Sequence, residues 1–218
     1  MPHPRDAESA SPVDVRAPVE AGPGVLVRTR EDRDAAVRSF LLAAAFEPGK
    51  APGQWAGKGL ALLRCGGLLG AVRISTDLVR AAAGTDNPRE IDAFLAEALP
   101  GGPVFVDRHA QWYYVLVPSS TGRRVEWATR SRHGLGAEFL GMGSYLGVPR
   151  PEATDPEGER SYWCVPMDRP GALADPDAVL RFLALAQRRH AQAKNEAESH
   201  ENDPPHTPGT PWTGVGRA

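Results

Sequence analysis

Two clusters of residue types in this sequence could do chemistry. Arg123, Arg124, Arg130 and Arg132 stand in one short stretch with Trp127 among them. Guanidinium groups fork onto phosphate oxygens and an indole stacks on a base, so this stretch is a candidate for binding nucleic acid or a nucleotide. A solvated loop in an arginine-biased chain is the plainer reading of the same residues. Asp107, Arg108 and His109 are consecutive and could act as acid, anion clamp and base, but an exposed hairpin tip is the reading the trio favours. Gly143-Ser144-Tyr145 lacks the partner acid and histidine of a nucleophilic triad. Cys65 and Cys164 form neither a CxxC pair nor a metal spacing. No catalytic residue, metal or cofactor is therefore expected.

The elements that must position these residues follow from periodicity and punctuation. Thr29 followed by Asp32 is a capping pair, which predicts a helix over 31–46 with Val37, Phe40, Leu41, Ala44 and Ala45 on one apolar face. Pro48-Gly49 stops it, and 51–58 reads as a glycine-rich loop around Trp55. Leu60–Cys65 and Leu69–Ile74, separated by Gly66-Gly67, predict a hairpin. A brief helix is expected over 77–83, and a clearer one from Asn87-Pro88 to Leu99. Strands are expected at 103–107 and 112–117, where Trp112, Tyr113 and Tyr114 alternate as a half-buried strand should. A polar connection over 123–133 follows. Residues 139–163 then read as two strands around a glycine-tight turn, a proline-rich excursion and a third strand. Asp175-Pro176 opens a last helix with Val179, Leu180, Leu183 and Ala186 inward. The expected fold class is α+β, a largely antiparallel sheet with flanking helices in a single domain over 25–189. Residues 1–24 are expected as a disordered leader, and 190–218 as a frayed helix end and disordered tail.

Composition limits the partners. The net charge of the 218 residues is −2, so no global field draws the molecule onto nucleic acid or membrane and any anion site must be a local patch. Among 25 Lys+Arg residues, lysine occurs only at Lys50, Lys58 and Lys194, a skew that fits coding DNA of a high-GC bacterium. The N-terminus has no signal-peptide pattern, and no apolar run is long enough to span a bilayer. A cytoplasmic protein with reduced thiols and no membrane partner is expected.

Gly141-x-Gly143-Ser144-Tyr145-Leu146-Gly147-Val148-Pro149, followed by Gly158 and Tyr162-Trp163, resembles the closing signature of bifunctional primase–polymerase domains, members of the archaeo-eukaryotic primase superfamily. The resemblance implies a prim-pol-like fold. It also implies a strand of metal-binding carboxylates at Leu69–Ser75, a helix at Pro88–Leu99 and a histidine-bearing strand within 103–117. The chain departs from that pattern where the chemistry would lie. Residues 69–75 contain Arg73 and no acid, Asp77 stands alone beyond them, and aromatics fill the place of the histidine. The family's Pro-Pro-Ser turn is here Pro149-Arg150-Pro151. Metal-assisted nucleotidyl transfer needs carboxylates close together, so the reading is a catalytically inactive relative. It would bind nucleic acid or a nucleotide through the 123–133 arginines and the groove beside 141–151. The alternative is a protein-interaction or regulatory module with an unidentified protein partner, which the near-neutral charge favours. An active metal-dependent nucleotidyltransferase would need acids that the strand lacks.

Overall fold

The computed structural model describes residues 19–22, 25–27, 29–130 and 136–201. Strands β1 (Val19–Gly22) and β2 (Val25–Val27) pair antiparallel, so the segment expected to be unstructured through Gly24 carries the first half of a hairpin. Helix α1 (Arg30–Ala44) starts at the expected box: the Thr29 side chain accepts from the Asp32 N–H, and Asp32 accepts from the Thr29 N–H. Residues 51–58, expected as a loop, form helix α2 (Ala51–Lys58). Pro52 lies in its first turn, Gly59 ends it at φ 71°, and Trp55 buries its ring while donating Nε1–H to the Val148 carbonyl at 3.0 Å. That tertiary anchor outweighs the two helix-weakening glycines.

Strands β3 (Leu60–Arg64) and β4 (Gly70–Ser75) exist near the expected bounds but do not pair with each other. Gly66 adopts φ 95° and turns the chain out of one sheet and into another. Helices α3 (Thr76–Ala83) and α4 (Pro88–Ala98) come next, the latter capped by Asn87. They lead into β5 (Val104–Asp107) and β6 (Trp112–Val117). The 123–133 connection contains the short helix α5 (Val125–Arg130), preceded by a 3-10 turn at Ser119–Arg123. Then come β7 (Ala137–Leu140), β8 (Tyr145–Pro149), β9 (Ser161–Val165) and α6 (Pro176–Glu201). The last helix continues unbroken through the residues expected to fray, and so runs well past 189.

The α+β class is as expected. The main sheet has the order β7-β4-β6-β5-β9 and every pairing in it is antiparallel. Within it, β4, the α3–α4 crossover, the β5–β6 hairpin, α5 and β7 make a split β-α-β-β-α-β unit, and β9 is added beside β5. Strands β3 and β8 form a separate two-stranded sheet in register Arg64↔Tyr145 and Leu62↔Gly147.

The main sheet is covered on both faces. Val72, Ile74, Val104, Tyr113, Val115 and Tyr162 pack with α3, α4 and α6. On the other face Ala71, Phe105, Leu116 and Trp163 meet α1, α2 and the β3–β8 pair. Alternation along each strand sends neighbouring side chains to opposite cores, so the strands read as near-continuous apolar runs. Among the described residues no helix is long and apolar enough to cross a membrane.

Candidate functional site

The 123–133 cluster is not the assembled site its spacing suggests. Trp127 is 2% exposed and packs in the core beneath α5, with its ring 6.4 Å from Phe139, so no indole face is open to a base. Arg124 is bonded to Asp177 in the first turn of α6 at 2.7 Å and latches the loop to that helix. Arg123 is exposed. The side chain of Arg130 and the whole of Arg132 lie outside the described residues.

The family-like motif has a clear physical division of labour. Gly143 supplies a turn at φ 86°. Gly141 makes room instead: a Cβ there would lie 2.6 Å from the Phe139 ring, and one at Gly70 would lie 2.9 Å from the same ring. Tyr162 and Trp163 are buried on opposite faces of β9, and Pro149 ends β8. Trp163 donates Nε1–H to the Arg150 carbonyl at 3.2 Å, tying the proline-rich excursion to the sheet. Tyr145 differs from the rest, being 47% exposed on the outer face of β8.

That outer face carries a set of residues that the linear sequence does not group. Phe46, just past the end of α1, donates its N–H to the Leu62 carbonyl at 2.9 Å and is thereby carried to the edge of β3. Its ring meets Tyr145 edge-on at 5.1 Å and is itself 42% exposed. The Arg64 guanidinium stands over the Phe46 ring at 5.3 Å. Leu62 is exposed on the same face, because it and Arg64 alternate with the buried Ala61 and Leu63. Beyond the Gly66 turn, exposed Leu68 and Met142 lead toward a cavity of about 280 Å³ lined by Gly66, Gly122, Arg123, Phe139 and Met142.

Arg30, Arg38, Arg73, Arg80, Arg89, Arg124, Arg150 and Arg160 each have a carboxylate partner. Arg64 and Arg123, like Arg108, Arg169 and Arg181, have none within ion-pair distance among the described residues. Arg64 thus stands beside a strip of exposed aromatic and apolar side chains, and Arg123 lines the neighbouring cavity. The pattern is legible in the sequence only in part: Tyr145 and Arg123 belong to its motifs, whereas Phe46 and Arg64 reach the face through tertiary pairing.

Where the resemblance would place metal-binding acids, β4 presents Arg73. Its guanidinium pairs with Glu138 at 2.5 Å and lies 4.8 Å from the Trp112 ring centroid. Among the described residues no group of three His, Cys, Asp or Glu side chains converges as a metal site. The Asp107 turn is closed upon itself, the carboxylate accepting from the His109 and Ala110 N–H groups at 3.0 Å each, with Arg160 at 3.6 Å. In comparisons with protein-family models, curated proteins and solved structures, the chain matches none.

Proposed function

We propose that this chain is a domain of primase–polymerase ancestry that has lost metal-dependent catalysis and binds single-stranded nucleic acid on the outer face of β3 and β8. The observation that carries the reading is the conjunction on one face of two exposed aromatic rings, Phe46 and Tyr145, with Arg64, which has no carboxylate partner among the described residues, while Arg123 lines the neighbouring cavity. Aromatic faces stack on bases of any identity, and free guanidinium groups take the phosphates between them. A duplex hides its bases, so a single strand is the better ligand. The ancestry rests on the order of the β-α-β-β-α-β unit and on the Gly141–Pro149 motif leading into β8. With net charge −2 the attraction is local, and a weak complex is expected.

A second reading, a docking face for another protein, is favoured by the exposed apolar side chains Leu62 on that face and Leu68 and Met142 at the adjoining turns. Ultraviolet crosslinking to a bromouracil-substituted oligonucleotide, followed by peptide mapping, separates the two. Crosslinks at Phe46 and Tyr145 support nucleic-acid binding. Crosslinks confined to other surfaces, or their absence, leave the protein-docking reading.

A further inference from the structure

A second site lies on the opposite, helix-covered side of the main sheet, where the ends of β5, β6 and β9 meet the first turns of α3 and α4. A cleft of about 510 Å³ opens there. Its volume falls within the range of small-molecule sites. Three arginines line it, Arg80 of α3, Arg108 of the β5–β6 turn and Arg160 just before β9, together with the acids Asp86 and Glu159. Each arginine is held by one edge only. Arg80 and Arg160 direct Nε at Asp86 (3.2 Å) and Asp107 (3.6 Å), and Arg108 donates one terminal nitrogen to the Pro156 carbonyl at 2.6 Å. A guanidinium has five donors, so every one of the three keeps an unused fork.

Two hydroxyl-bearing side chains belong to the wall. Tyr113 is 5% exposed and lines the cleft. Thr76 is 6% exposed, and its Oγ1 is buried without a hydrogen-bond partner among the described residues. Beside them, Ile91 and Val106 supply an apolar wall.

We propose that this cleft binds a small phosphate-bearing ligand, its oxyanion held by the open forks of Arg80, Arg108 and Arg160 and by the Tyr113 hydroxyl. The site is separate from the β3–β8 face, and neither depends on the other. The test is isothermal titration calorimetry on the full chain with AMP, inorganic phosphate and adenosine. Saturable binding of AMP and of phosphate, with none of adenosine, is expected. Arg108→Ala should weaken AMP binding roughly tenfold, as loss of a charge-assisted bond does, and Tyr113→Phe should weaken it by a smaller factor. If Arg108→Ala does not fold, Arg160→Ala, at an exposed position, serves in its place. Tyr145→Ala should leave AMP binding unchanged. Failure of AMP and phosphate to bind, equal binding of adenosine, or loss of AMP binding in Tyr145→Ala would overturn the proposal.

Discussion

Arg73 of β4 and Glu138 of β7 are direct cross-strand partners, and their side chains form an ion pair at 2.5 Å. The pair occupies the strand where the primase–polymerase resemblance would need carboxylates, and it puts a cation at that point. No primer extension or nucleotide condensation is expected with magnesium or manganese, at any template. A radiolabelled extension assay checks this, and metal-dependent product abolished by chelation would contradict it. Both partners are more than a third exposed, so Arg73→Ala should cost no more than about 1 kcal/mol of stability.

Gly141 and Gly143 should respond differently to alanine. Gly143 needs a positive φ but has open space around it, so Gly143→Ala should cost roughly 1 kcal/mol from backbone strain. At Gly141 the new methyl group meets the Phe139 ring, and overpacking of about 1–3 kcal/mol is expected. Denaturant midpoints measure both. Phe139→Leu should recover part of the loss at Gly141 and none of the loss at Gly143, and equal behaviour at the two sites would refute the division of roles.

Asp92 of α4 accepts a hydrogen bond from the Tyr162 hydroxyl at 3.2 Å. Burial raises its pKa, against opposing hydrogen bonds from Cys164 and Tyr162 and the nearby charge of Arg89. A carboxyl raised in the folded state binds its proton more tightly there than in the unfolded chain. Its contribution is present at low pH and is lost as pH rises through the folded value. Asp92→Asn keeps an acceptor for Tyr162 and removes the buried charge, so its Tm should exceed that of the wild type at pH about 8, with the difference shrinking toward pH about 4. A lower Tm for the variant at the higher pH would contradict this sign.

The two thiols should be silent in the native protein. Cys65 and Cys164 are free and buried, and burial pushes the Cys65 thiol up to about 11 and the Cys164 thiol well above its ordinary value. Thiolate is the reactive form. Ellman's reagent at mildly alkaline pH should therefore titrate neither group until denaturant is added, and prompt reaction of one thiol would show that its core opens.

The regular elements with local signals were legible from residue order. The capping box at Thr29, the Asn87-Pro88 start of α4 and the strand flanking each aromatic run all stand near their expected places. What failed was pairing. Gly66-Gly67 has the look of a hairpin turn, yet β3 finds β8 and β4 finds β6 and β7, because each strand buries apolar residues that only a distant partner can cover. Helix α2 was hidden for the same reason: its stability comes from Trp55 against β8, a contact no local window contains. Trp127 looked available for stacking because its neighbours are polar, while its own burial depends on the sheet above which α5 closes.

The proposed single-strand binding face of Phe46, Arg64, Arg123 and Tyr145 is tested by the salt dependence of oligonucleotide binding. Fluorescence anisotropy should detect micromolar binding of a single-stranded oligonucleotide and weaker binding of the matching duplex. With two phosphates neutralised, log K should fall against log salt with a slope of about −1.4, roughly a sevenfold loss between about 50 and 200 mM. Arg64→Ala with Arg123→Ala should flatten that slope, and Tyr145→Ala should weaken binding by about 1–3 kcal/mol while leaving the slope in place. Binding absent at low salt, or a slope unchanged in the double arginine variant, would contradict the account.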